Sequence, residues 1–440
     1  MTTAYLGIDI GLSGVRAAVM SARGRLLGKS SCDARTGAVS PARLLGYVNE
    51  AARTALDGAG LNKIEAMALA AIGPVPVLLD GKGAIVAHLP LFSQAAIDDA
   101  VSQPDDDLAA RLLDFGRRNR AASRQVRTVC DLTGYLVSRL TGCLAMDRVT
   151  AEDYALLTLP GRARLPGVWD GAAVVGGLSR IAANRLGLPA GTPVAAGTYD
   201  STADLLAAGF GPGRRSVIVL GSTIVIGTLT GTPLADPRLR STPHLGKGWF
   251  SGGWTNASGT SLNFAQRVLA RPSKSPAGPV PLVWPYLAGE RAPVWCAEAT
   301  GMVAGLSPET NAAALHQGFI EGVALSAADI AERLEAEAGQ IRHWTVTGGA
   351  SRSEVLMGEL ASALGATLST VRGAADHLGP ALLAARSTGL DIRLPVVKRH
   401  KASARRTALY REKLGIYRQV FEAVRPLLGG INRVTLMRSS

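Results

Sequence analysis

The chain is predicted to be an α/β protein built from two related halves. Apolar strands alternate with segments of helical periodicity along most of its 440 residues. A strand, a glycine turn and a second strand open the chain, and the same unit recurs after residue 209. At this length, two or three domains each with a core are expected. The boundaries are placed at 1–208, 209–428 and a tail at 429–440.

In the first half, residues 5–10 form an apolar strand interrupted only by Asp9. The turn Gly11-Leu12-Ser13-Gly14 follows, and residues 15–20 form a second strand. A dinucleotide-binding unit would place a helix directly after such a turn, so this opening is of another kind. Residues 41–57 have helical periodicity, and 64–71 and 75–79 are predicted strands. Residues 108–115 and 128–140 are predicted helices. A short helix over 179–186 stops at Gly187, with Pro189 close behind.

The second half begins at the turn-rich joint 209–213. Strands over 216–220 and 224–229 flank Gly221-Ser222-Thr223. A long helix covers 311–337, and a strand over 344–347 runs into Gly348-Gly349-Ala350. A helix over 353–364, a strand over 367–371 and a helix over 380–387 complete the pattern. Residues 271–278 are predicted to be a surface loop, and the last ten residues a frayed tail.

Composition narrows the function classes. With 47% hydrophobic and 18% charged residues, the chain is globular and not disordered. No apolar run is long enough to cross a bilayer, and no basic, apolar leader opens the chain. Cys32, Cys130, Cys143 and Cys296 are scattered, which argues against a zinc site or a disulfide framework and for a cytoplasmic location. The net charge of +13 raises nucleic acid as a partner. The basic residues are dispersed, however, and the one cluster (Lys398 to Lys401, with Arg405 and Arg406) lacks interleaved aromatics, so no nucleic-acid or membrane partner is expected.

The glycine turns carry the chemistry. Backbone N–H groups reach phosphate oxygens only where side chains are absent. Two related turns and the lone carboxylate of Ala196-Gly197-Thr198-Tyr199-Asp200 therefore point to phosphoryl transfer.

The order of these motifs resembles the FGGY carbohydrate kinases of the actin-like ATPase superfamily. The similarity spans nearly the whole chain. It includes Arg139-Leu140-Thr141-Gly142 followed by Asp147, Gly191 to Gly197 running into Asp200, and Pro285 to Pro293. Gly301, Gly305-Leu306, Glu321 to Ala324 and Gly379 to Ala385 complete it. The resemblance implies two ribonuclease-H-like domains with a nucleotide cleft between them. It also implies ATP and Mg²⁺, a sugar or polyol acceptor, and the expectation of a homodimer.

The resemblance makes Asp200 the general base; the plainer alternative is a helix N-cap. It makes Asp9 the Mg²⁺-linked carboxylate, since a carboxylate in an apolar strand is costly unless paired or near metal. The alternative is a satisfied turn aspartate. Gly11, Ser13 and Gly14 would face the phosphates, with Leu12 where the family usually has Thr. Arg16 either approaches the phosphates or is a strand-surface charge. Gly221, Ser222 and Thr223 resemble the second phosphate motif, and Gly348, Gly349 and Ala350 the adenosine motif. Ser353 either faces the nucleobase or caps its helix, and Gly259 is a further nucleotide candidate. Glu290 and Arg291 are expected to be structural, pairing across the cleft.

The acceptor side departs from the family. Gly73-Pro74-Val75-Pro76 stands for a Gly-Gln-x-His-like segment, and Phe92 to Ala96 for a Trp-x-Asp-x-Arg segment. Gln94 keeps hydrogen-bonding capacity but loses the charge and the fork. Gln94 and Tyr199 are assigned to the substrate beside Asp200, with Trp254, Asn256 and His88 as further candidates. Residues 252–256 and 289–293 lean towards a gluconate-kinase type, and a sugar acid would suit a basic protein. The expected function is ATP-dependent phosphorylation of a sugar, sugar acid or polyol. The alternative is a catalytically impaired nucleotide- or ligand-binding sensor.

Overall fold

The computed structural model describes residues 3–11, 14–34, 39–89, 104–211, 215–246, 248–269, 278–371 and 377–436. The chain forms two compact units. The first comprises residues 1–209, 243–247 and 373–394; the second comprises 210–242, 248–372 and 395–440.

The first unit is organised on a seven-stranded mixed sheet. Ala4–Gly11, Gly14–Ser21 and Leu26–Asp33 form an antiparallel meander. Ala66–Ala71 then pairs parallel to Ala4–Gly11, and Pro193–Ala195 lies parallel beyond it. Val174–Gly177 closes that edge, and the two-residue strand Thr198–Tyr199 also pairs with Ala66–Ala71. The strand Ala66–Ala71 is buried throughout, as a central strand covered on both faces must be. Helix Pro41–Ala59 starts on Ser40, whose side chain accepts the Arg43 N–H, and ends at the left-handed Gly60. Its residues Leu44, Val48, Ala51, Ala52 and Ala55 pack into the same core as Leu6, Ile8 and Leu69.

The second unit repeats this topology. Ser216–Leu220, Ile224–Thr230 and Trp249–Thr255 form the antiparallel meander. His343–Thr347 and Thr367–Val371 continue it in parallel. The 27-residue helix Ala312–Ala338 is buried through its centre, where Val323, Ala324, Ala327 and Ile330 join the core of Ile218, Ile226 and Val346. Trp284 stacks on Tyr417 with ring centroids 4.9 Å apart, fastening helix Ala404–Val424 to the unit.

Two expectations are corrected. Residues 128–140 are not one helix: Thr128–Asp131 is a strand, and Asp131 caps the helix Leu132–Thr141 by accepting the Thr133 N–H. The basic cluster at 398–401 is part of a sheet. Most of it lies in the strand Val396–His400, whose His400 is buried and whose Lys398 pairs with Glu354. The last residues are helical over Leu428–Leu436, with Leu428 fully buried, so they do not begin as a frayed tail. The segment 271–277 and Gln94 lie outside the described residues. Among the described residues no helix is long and apolar enough to cross a membrane.

Candidate active site

The site is built from the carboxyl ends of the first unit's strands. Along Ala4–Gly11 every residue is buried except Asp9, which is partly exposed. Pairing puts Asp9 opposite Arg16 on one side and Ala70 on the other. Thr198 pairs with the same Ala70. Asp9, Ala70 and Thr198 thus lie in one row, two strand spacings or about 10 Å across. Asp200 follows two residues later as the first residue of helix Asp200–Ala207.

The N-cap alternative for Asp200 is corrected by this geometry. Tyr199 holds the cap position without a side-chain bond, and the Asp200 carboxylate accepts the N–H of Ser201 at 2.7 Å. Burial pushes the Asp200 pKa up to about 7, and the nearby charge of Asp9 adds to the rise. The Ser201 N–H and the Arg16 guanidinium pull the other way. The strand leading into Asp200 is itself anchored. The Thr198 hydroxyl donates to Asp147, and its carbonyl accepts the Thr133 hydroxyl.

Asp9 has two basic neighbours. Arg16 Nη1 stands 3.5 Å from Oδ2, so Arg16 is paired with Asp9 rather than being an isolated surface charge. His377 Nδ1 lies 2.9 Å from the same oxygen. Among the described residues no group of three or more His, Cys, Asp or Glu is arranged to hold a metal. Mg²⁺ in kinases is held by one or two carboxylates together with substrate phosphates and water, and Asp9 fits that role.

Two site residues escaped the sequence reading. Asp204 lies one helical turn after Asp200 on the same face, and burial together with the charges of Asp9 and Asp200 holds its carboxyl well above the usual range. Its i, i+4 spacing from Asp200 was a usable signal. His377 had no local signal at all, being 368 residues from its partner.

On the acceptor side, the Tyr199 ring packs on Gly73 so tightly that a Cβ there would collide with it. The Tyr199 hydroxyl is buried without a hydrogen bond of good geometry. Its neighbour Asp153 has its pKa pushed up to about 6 by burial, a rise that the hydroxyl opposes. Arg111 donates to the carbonyls of Pro74 and Leu89, and Asp131 accepts the Val75 N–H and the Tyr154 hydroxyl. His88 is half-buried, and desolvation lowers its pKa. Ser13 and Gln94 lie outside the described residues. Gly11 and Gly14 pair with each other across the hairpin end.

The second unit gathers its glycine candidates around one turn. Gly221 closes on the Thr223 carbonyl, and the Gly221 carbonyl accepts both the Gly259 N–H and the Ser258 hydroxyl. Thr260 donates through its N–H and hydroxyl to the Ser222 carbonyl. Gly348 has φ 101°, and a Cβ there would collide with the Leu220 carbonyl. Gly221, Ser222, Thr223, Gly259 and Gly348 therefore come together. Gly349 and Ala350 begin the short helix Gly349–Arg352, with Gly349 exposed. Ser353 accepts the Leu356 N–H as the N-cap of helix Glu354–Leu364.

Glu290 does not need an ion pair with Arg291. Its carboxylate accepts the Thr255 hydroxyl and the N–H groups of Asn256 and Arg291. Asn256 spends its amide on the carbonyls of Ala288 and Gly289. These contacts are internal to the second unit and structural.

Duplicated mixed sheets, a carboxylate pair at the strand ends and a glycine-lined turn define a sugar-kinase fold of the actin-like type. Residues 217–388 match the C-terminal domain of the FGGY family of carbohydrate kinases. A xylulose kinase of Escherichia coli (strain K12) is 23% identical, covering 96% of this chain and 100% of its own. The gluconate kinase structure from Lactobacillus acidophilus superposes with a TM-score of 0.86 at 18% identity, over 98% of this chain and 100% of that one. The Plasmodium falciparum glycerol kinase structure with ADP gives a TM-score of 0.75 at 14% identity, over 96% and 98%. Residues 217–388 thus form an FGGY carbohydrate-kinase C-terminal domain, and the chain is similar to xylulose kinases along 96% of its length. Kinases of this family use ATP.

Proposed function

We propose that this kinase transfers the γ-phosphoryl group of ATP to a hydroxyl of a sugar, sugar acid or polyol, with Asp200 as general base. The observation that carries the assignment is the Asp200 carboxyl itself. It is partly buried at the strand ends, near Asp9, with a pKa pushed up to about 7. A general base works best when its pKa lies near the working pH.

In the reaction, Asp200 accepts the proton of the acceptor hydroxyl as that oxygen bonds to the γ-phosphorus. The bond from phosphorus to the β–γ bridging oxygen breaks, and ADP leaves. With a pKa near neutrality, Asp200 can return the proton to solvent afterwards. Mg²⁺, when bound, neutralises phosphate charge, and Asp9 is the residue assigned to hold it. Gly11, Ser13, Gly14 and Arg16 of the first unit are assigned to the phosphates. Gly221, Ser222, Thr223 and Gly259 of the second unit are assigned to them as well. Gly348, Gly349 and Ala350 are assigned to the adenosine, with Ser353 supporting them as a cap. Tyr199 and Gln94 are assigned to the acceptor.

The test is a coupled ADP-release assay across xylulose, gluconate, glycerol and erythritol. Turnover on one acceptor, absent in Asp200→Asn, is the expected result. Equal turnover in that variant would remove Asp200 from the role.

A further inference from the structure

The helix Gly379–Ser387 lies against the first strand at very short range: a Cβ on Gly7 would collide with the Ala381 backbone. Side chains two residues apart on a strand share a face. Asp9 therefore stands on the face that this helix covers, one position further towards the strand's carboxyl end. There it meets His377, two residues before the helix begins. The imidazole Nδ1 lies 2.9 Å from Asp9 Oδ2. His377 holds this position with φ 53°, a left-handed conformation uncommon outside glycine, though asparagine, aspartate and histidine adopt it more often than other residues. Backbone strain of this kind persists where the surroundings impose it, often at functional sites.

We propose that His377 is a positioning residue for the reaction, orienting the Asp9 carboxylate towards the divalent cation that accompanies the nucleotide. The inference rests on the assignment of Asp9 to that cation. In the tautomer that carries its proton on Nδ1, His377 donates to Oδ2. Arg16 approaches the same oxygen, so both contacts fall on Oδ2 and Oδ1 is the oxygen that would be offered to the cation. A hydrogen bond behind a ligating carboxylate fixes its direction, and loss of such outer contacts typically weakens metal binding by about 10–100-fold.

Two substitutions separate the imidazole from the backbone it strains. His377→Gly suits the left-handed conformation and removes the donor. His377→Asn also suits it and keeps an N–H donor near the position of Nδ1. The readout is Mn²⁺ affinity in the presence of ADP, followed from the electron-paramagnetic signal of free Mn²⁺, with Asp9→Asn as reference and melting temperature as the folding control.

The expected result is a loss of about tenfold or more in His377→Gly at an unchanged or higher melting temperature, with affinity largely restored in His377→Asn. Wild-type affinity in His377→Gly, beside a clear loss in Asp9→Asn, overturns the inference alone. An equal loss in the glycine and asparagine variants also overturns it, because donation to Asp9 would then not be the cause. Wild-type affinity in Asp9→Asn removes the assignment of Asp9 and the inference with it.

Discussion

Asp9 and Asp200 flank the strand Ala66–Ala71, and the charge of Asp9 helps hold the Asp200 carboxyl near neutrality. Burial contributes more, because a carboxylate removed from water resists ionisation. Arg16 offsets part of both effects by lying next to Asp9 and close to Asp200. The same neighbourhood raises Asp204 as well. A kinase acceptor hydroxyl is a weak acid, so a base tuned upward is more useful than an ordinary aspartate.

The first prediction concerns pH. A base must be ionised to act, and the Asp200 pKa is raised from 3.8 to about 7. Activity should therefore be present above about pH 7 and fall as pH drops through that value. The measurement is kcat/KM for the acceptor as a function of pH. An acid limb near the usual aspartate value would contradict the tuning of Asp200.

Tyr199→Phe should separate packing from recognition. The ring that presses on Gly73 is kept, and the hydroxyl it loses has no hydrogen bond of good geometry to break. Stability should change by less than about 1 kcal/mol, or rise. The acceptor KM should increase while the KM for ATP stays unchanged. An unchanged acceptor KM would remove Tyr199 from the acceptor side.

Gly259→Ala should act on the nucleotide. The added Cβ would sit 2.6 Å from the Gly221 carbonyl oxygen, so the turn bearing Ser222 and Thr223 must move. Overpacking of this kind costs about 1–3 kcal/mol. ADP affinity measured by calorimetry should fall, and full retention would separate this turn from nucleotide binding.

Much of this arrangement was legible in the sequence because it is local. A strand, glycine turn and strand within some 16 residues leaves a short-range signature, and both copies appear where expected, around Gly11 to Gly14 and Gly221 to Thr223. Residues 128–131 misled the reading because a short buried strand and a buried helix share an apolar pattern, and Asp131 marks the join only through its cap. The strand Val396–His400 was hidden by Lys398 and Arg399, which suit an exposed edge but mask alternation. Asp204 was available from helical spacing. The tie between His377 and Asp9 depends on how the late helix Gly379–Ser387 returns to the first strand, a tertiary fact that no local pattern encodes.

Asp200 is the residue proposed to remove the proton from the acceptor hydroxyl. The most direct test of that role is kcat for Asp200→Asn beside ADP affinity on the same preparation. The expected result is a fall of at least about 10²–10⁴-fold in kcat with ADP affinity unchanged. A kcat within a few-fold of the original, at unchanged ADP affinity, would contradict it.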